Sequence, residues 1–236
     1  IRADVESRGL GHVYKRQTVM SCTLAAGLSL KWFRDNFFLE EMQTAKGMGV
    51  DPYYLMDRQA ERAPIGANRL VYLPYLMGER SPKLDSDCRG VFFGLSAMHT
   101  KYDMLRAVME GVIYSQRECL DILRGMGVVS SEMLACGGGG SSPMWRQMMA
   151  DVYNLPVKTV VSKEGPALGV AILAGVGAGI YPSVAEACRK VVKTNPAQAP
   201  IPENTGRYEE FYRVYCGLYP QLKDCYKALA LSLIHI

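Results

Sequence analysis

The residues of this chain best suited to chemistry are four consecutive glycines, 137–140, followed by Ser141, Ser142 and Pro143. Serial glycine removes the Cβ atoms that keep a ligand off the backbone, and it admits positive φ. A helix opening at Pro143 adds unpaired N–H groups and the positive end of its dipole. Together these features suit an anion, and a nucleotide phosphate is the ligand they fit. Taken alone, the motif is only moderately specific, and a glycine turn that binds nothing is the lesser alternative. Two common phosphate-binding spacings do not apply. Gly-x-x-x-x-Gly-Lys-Ser/Thr is absent, and a Gly-x-Gly-x-x-Gly frame opened at Gly138 puts Pro143 where its third glycine belongs.

Several elements must position this stretch. Residues 132–136 read as a strand feeding a glycine turn, residues 143–153 as an amphipathic helix and residues 157–161 as a second strand. Such a βαβ unit is right-handed and places its ligand crevice at the carboxyl ends of the strands, where the glycines lie. A second turn at 164–169 opens a helix to about residue 178. Its Ala167, Gly169, Ala171, Ala174, Gly175 and Gly177 leave a thin surface that suits a nucleotide, another helix or close packing on a sheet.

Upstream, helices are expected at 23–33, 37–45 and 52–63, the last capped by Asp51 with Pro52 at its first position. Strands are expected at 69–74 and 89–95, with a solvated polar loop at 77–82 between them. A long helix over 101–124 carries an apolar stripe of Leu105, Val108, Val112, Cys119 and Ile122, and puts Arg106, Glu110, Arg117, Asp121 and Arg124 mainly on its wet side. Residues 195–204 read as a Pro- and Ala-rich linker. The last helix, 207–229, presents Tyr208, Phe211, Tyr215, Tyr219, Leu222 and Tyr226 as a stripe expected to dock on its own domain.

Composition narrows the function classes. The chain has 236 residues, 49% hydrophobic and 21% charged, which describes a globular protein with an ordinary core. A formal charge of +4, partly from Arg2, Arg8, Lys15 and Arg16, makes no case for nucleic acid or a membrane surface. No apolar run reaches the roughly 20 residues of a membrane span. Seven scattered cysteines without a Cys-x-x-Cys pair point to reduced thiols and a cytoplasmic location. Both ends look foreign: residues 11–17, Gly-His-Val-Tyr-Lys-Arg-Gln, resemble translated sequencing adapter, and the closing Leu-Ser-Leu-Ile-His-Ile gives the same impression. Residues 1–17 and 232–236 are therefore expected to lie outside the domain, 18–231. Removing them leaves His99 as the one remaining histidine, which argues against His-centred metal or triad chemistry.

Four ordered blocks then carry a family resemblance. They are Leu-Pro-Tyr-Leu-Met-Gly-Glu-Arg-Ser-Pro at 73–82; Gly-Val-Phe-Phe-Gly-Leu at 90–95 with His99, Thr100 and Leu-Arg-Ala-Val-Met-Glu-Gly at 105–111; the glycine stretch with Trp145, Arg146, Gln147, Ala150 and Asp151; and Gly-Pro-Ala-Leu-Gly at 165–169. This pattern resembles the C-terminal domain of the FGGY carbohydrate kinases, on their xylulose branch, with gluconate kinases next. The resemblance implies an α/β fold of the actin-like, ribonuclease H-like ATPase class, a mixed sheet flanked by helices. It also implies that Gly138, Gly139, Gly140, Ser141 and Ser142 hold ATP, with Mg2+ bridging its phosphates, while a small-molecule sugar and the aspartate base belong to an N-terminal domain not matched here. The chain is accordingly expected to be inactive alone, with no catalytic residue of its own and no metal ligand. A homodimer is the family-level expectation. Asp85, Asp87, Asp103 and Asp151 are read as turn formers, helix caps or solvated charges. A non-catalytic actin-like interaction module is the alternative from another class.

Overall fold

The computed structural model of the protein describes residues 19–162 and 165–233, with side chains through residue 230. The leader assigned to 1–17, Thr18, residue 163, the first residue of the second turn (164) and the end of the expected foreign tail lie outside the described residues. Three helices open the chain: α1 Ala26–Phe37, α2 Leu39–Met48 and α3 Pro52–Ala60. Asp51 caps α3 by accepting from Tyr53 N at 2.8 Å, with Pro52 at the first helical position as its sequence signature predicts.

The core is built around α4, Lys101–Gly125, against which α1, α3, α6 (Pro143–Tyr153) and strand β1 (Val71–Leu73) pack. A reciprocal capping box starts α4, Thr100 accepting from Asp103 N and Asp103 accepting from Thr100 N. Leu105, Val108, Val112 and Cys119 are buried as the helical spacing predicts, whereas Ile122 near the far end is 44% exposed. At Gly111 the helix approaches β1 so closely that a Cβ would stand 2.2 Å from the Tyr72 carbonyl oxygen.

The expected wet side of α4 is largely not wet. Arg106 and Glu110 are buried, and Arg106 Nε donates to Glu110 Oε1 at 2.7 Å while its Nη2 donates to the Tyr208 hydroxyl. Further along, Arg117 stacks on the Tyr212 ring and pairs with Glu209, and the Tyr212 hydroxyl donates to Asp121 at 2.9 Å. These groups lie under α9, Pro202–Leu233, so the polar stripe of α4 is an interhelix surface. The aromatic stripe of α9 does dock on its own domain: Tyr208, Tyr215, Tyr219 and Tyr226 are buried, and the Tyr75 and Tyr215 hydroxyls meet at 2.9 Å.

Among the described residues the strands form two separate two-stranded sheets in place of the single mixed sheet expected. Strands β1 and β2 (Val91–Phe93) are antiparallel, Val71 opposite Phe93 and Leu73 opposite Val91. Strands β3 (Met133–Ala135) and β4 (Val157–Thr159) are parallel, Met133 opposite Val157 and Ala135 opposite Thr159, which gives the βαβ unit that the sequence predicts. Residues 195–204 are no free linker. Gln198 exchanges both backbone hydrogen bonds with Val157 on the outer edge of β4, and α9 already begins at Pro202.

Downstream of β4 run α7, Gly165–Gly177, and α8, Val184–Val191, which pack on each other. The sequence reading placed no helix at α8, although Ser183 caps it by accepting from Glu186 N. Only Ile172 and Gly175 of α7 are buried, so of its small residues Ala167, Gly169, Ala171, Ala174 and Gly177 stay exposed among the described residues. No helix among the described residues is long and apolar enough to cross a membrane.

Candidate functional site

The carboxyl ends of β3 and β4 open into a cavity of about 1190 Å³. One wall is the glycine stretch, which is a short helix, α5 (Gly137–Ser141), and not the open turn read from its composition. Gly137 takes φ +74°, a conformation that glycine alone adopts without strain, where the chain turns from β3 into α5. The facing wall comes from residues 159–162 at the end of β4 and from Gly165, Leu168 and Gly169 of α7, with Cys188 of α8 and Val192 just after it. Apolar groups dominate this lining, with a few polar ones converging on it, as suits a small-molecule site.

Among the expected ligand-binding residues, Gly140 and Ser141 line the cavity, together with Gly137. Gly138 lies away from that lining, in open space; a Cβ there would meet nothing within 4 Å. Gly139 faces the Trp145 ring, whose nearest carbon would stand 2.7 Å from an added Cβ. Ser142 caps α6, its Oγ accepting from Trp145 N at 3.0 Å. The structure thus splits the stretch into a cavity-lining part and a part that seats α5 on α6.

Asn195 and Arg146, to which the sequence assigned no ligand-binding role, also line the cavity. Asn195, assigned to the linker, donates from N to the Thr159 carbonyl and from Nδ2 to Thr159 Oγ1, both at 2.8 Å. Arg146 donates through Nη1 to the Gly140 carbonyl at 2.7 Å and through Nε to Gln198 Oε1 at 2.8 Å. Gln198 in turn donates to the Pro143 carbonyl. The spacing from Gly140 to Arg146, one short helix and the first turn of the next, was the available signal for this residue.

Carboxylates stand elsewhere. Asp85 accepts from Asp87 N and from the Tyr219 hydroxyl, and Asp103 belongs to the α4 cap. Asp151 is buried and accepts from Ile201 N and Asn204 Nδ2, which fixes the start of α9. Glu79, expected to be solvated, is 4% exposed. Its Oε1 accepts from Leu24 N and Arg80 N, both at 2.8 Å, serving one backbone amide just ahead of α1 and one in its own loop. Burial pushes the Glu79 carboxyl upward, against those two hydrogen bonds. Burial likewise raises Glu110, which Arg106 opposes. No described residue lining the cavity is a carboxylate, and no three His, Cys, Asp or Glu side chains among the described residues are grouped to hold a metal ion. The described lining therefore does not make a Mg2+ site of its own.

A parallel strand pair joined by a helix, β3 ending on a glycine-rich helical segment beside a cavity, defines an α/β domain, a class whose ligand crevices lie at the carboxyl ends of the strands. The chain belongs to the FGGY family of carbohydrate kinases, whose C-terminal domain model matches residues 5–178. It is 38% identical over 205 residues to a xylulose kinase of Staphylococcus epidermidis, covering 87% of this chain and 39% of that protein. It is 36% identical over 211 residues to a gluconokinase of Bacillus licheniformis, covering 86% and 40%. Among solved structures, a ligand-bound xylulose kinase from Lactobacillus acidophilus superposes with a TM-score of 0.77 at 28% identity, covering 88% of this chain and 40% of that one. The fold is therefore the C-terminal part of an actin-like sugar kinase, and the chain spans about two fifths of the length of the curated relatives it matches.

Proposed function

We propose that this chain is the nucleotide-binding half of an ATP-dependent carbohydrate kinase, which as a whole protein converts D-xylulose to D-xylulose 5-phosphate. The cavity at the ends of β3 and β4 is the observation that carries this reading. Its apolar walls suit a base and ribose, while Gly137, Gly140, Ser141 and Arg146 gather polar groups along one side. Phosphoryl transfer depends largely on holding the nucleotide in line with its acceptor, and the chain's own residues would do the holding. Mg2+ would be brought by the phosphates, since the described lining offers no carboxylate for it. All seven cysteines are free thiols, which supports a cytoplasmic setting. Gluconate is the second reading for the sugar, because a gluconokinase matches nearly as well as a xylulose kinase does.

Titration of the 236-residue chain with ADP tests the proposal directly. Saturable binding is expected, and heat signals that fail to saturate at millimolar ADP would overturn it. In a coupled assay the chain alone is expected to phosphorylate neither xylulose nor gluconate, because no carboxylate of the described lining can act as base.

A further inference from the structure

We propose that Arg146 is the specificity-determining residue of this cavity: it fixes the glycine segment and sets the local charge, so that a phosphorylated nucleotide is preferred over the nucleoside. The inference rests on the nucleotide reading above and adds to it the residue that distinguishes ligands. Among the described residues lining the cavity, Arg146 is the only charged side chain. Among the described residues no carboxylate pairs with it: its Nε and Nη1 go to neutral oxygens, those of Gln198 and Gly140. Guanidinium is always charged at ordinary pH, and an unneutralised one in a largely apolar cavity selects an anionic ligand group. Its Nη2 makes no protein hydrogen bond among the described residues, which leaves N–H donors for such a group.

The same side chain constrains α5. Four glycines in series have high conformational entropy, so their amides face a ligand in a fixed arrangement only if something outside holds them. Trp145 abuts Gly139, the Ala135 backbone abuts Gly140, and Arg146 ties the Gly140 carbonyl to Gln198. Gln198 is itself anchored by two 2.9 Å backbone bonds to Val157 of β4. Arg146 therefore joins the glycine segment to the sheet edge through one planar group, a geometry that lysine cannot reproduce.

The test compares ADP and adenosine binding to the wild-type chain, Arg146→Met and Arg146→Lys, with thermal melts to verify folding. Arg146→Met is expected to weaken ADP about 10- to 100-fold, the size of one charge-assisted hydrogen bond. Adenosine should change less than about 3-fold, and Arg146→Lys should recover part of the ADP affinity through charge alone. Unchanged ADP affinity, or an equal loss for both ligands, would overturn the proposal while leaving the nucleotide reading intact. A wild-type chain that binds neither ligand would overturn that reading itself. Hydrogen exchange without ligand decides the clamp independently: amides of residues 137–141 should exchange faster in Arg146→Met, and equal rates would refute it.

Discussion

Asp103 shows how a single carboxylate can be structural at one end of a long helix. It accepts from Thr100 N and Thr100 Oγ1 through Oδ2, both at 2.8 Å, and from Asn68 Nδ2 through Oδ1. Burial alone would raise its carboxyl; these hydrogen bonds and the nearby His99 outweigh burial and hold it below the usual carboxylate range. A carboxylate with a depressed folded-state value adds stability above its unfolded value near 4 and loses it as pH falls through the lower, folded value. Asp103→Ala is therefore expected to cost about 1–2 kcal/mol at pH 7 in urea denaturation, and less at pH 3. Equal costs at both pH values would show that charge is not what the cap uses. A helix cap was one of the roles the sequence left open for Asp103, and Thr100 three residues before it has the spacing of a capping box. Glu79 and Glu110 were not readable in that way, because their burial depends on amides of Leu24 and Gly66, which are remote in the chain.

Glycines divide by what surrounds them at the scale of the elements. Gly111→Ala would drive its Cβ to 2.2 Å from the Tyr72 carbonyl, a backbone atom, so α4 and β1 must separate, at about 1–3 kcal/mol. Gly138→Ala meets nothing within 4 Å, and Gly138 is not among the positive-φ residues, so the unliganded chain should gain about 0.4–1 kcal/mol. Denaturation midpoints check both signs, and a destabilised Gly138→Ala would mean that α5 is not a regular helical turn. Long periodic elements were legible from sequence: α4 begins at Lys101 and α6 spans Pro143–Tyr153, as the apolar spacing predicts. The parallel pairing of β3 and β4 was equally legible from the βαβ order. What failed depended on tertiary pairing. Residues 195–198 have a linker's composition but are held by hydrogen bonds to Thr159 and Val157, and the charged stripe of α4 reads as solvent-facing until α9 is laid across it. The glycine segment is legible as the stretch that follows β3, but composition could not show that Arg146 and Asn195 would share a cavity with it, because Asn195 is placed there by its pairing with Thr159 of β4.

Over the whole molecule, burial is unevenly distributed, and the cavity lies across the boundary. Helix α4 contributes fourteen buried residues, with β1, α1, α6 and α9 around it, whereas α7 buries only Ile172 and Gly175 and leans mainly on α8. Val170 and Leu173 of α7 stand 67% and 61% exposed. Local opening costs least where few apolar contacts hold an element, so α7 and α8 should open well below the global unfolding free energy. Native-state hydrogen exchange is expected to show their amides exchanging by local opening, while the middle of α4 exchanges only with global unfolding. Matching protection in α7 and α4 would overturn this division. The same experiment bears on the site, because α7 supplies one wall of the cavity and α5 the other. A ligand that bridges both walls must slow exchange in α7 by stabilising the closed form according to its concentration and affinity. Saturating ADP should therefore protect α7 and α5 together and leave α4 unchanged, whereas protection confined to α5 would place the ligand on the glycine wall alone.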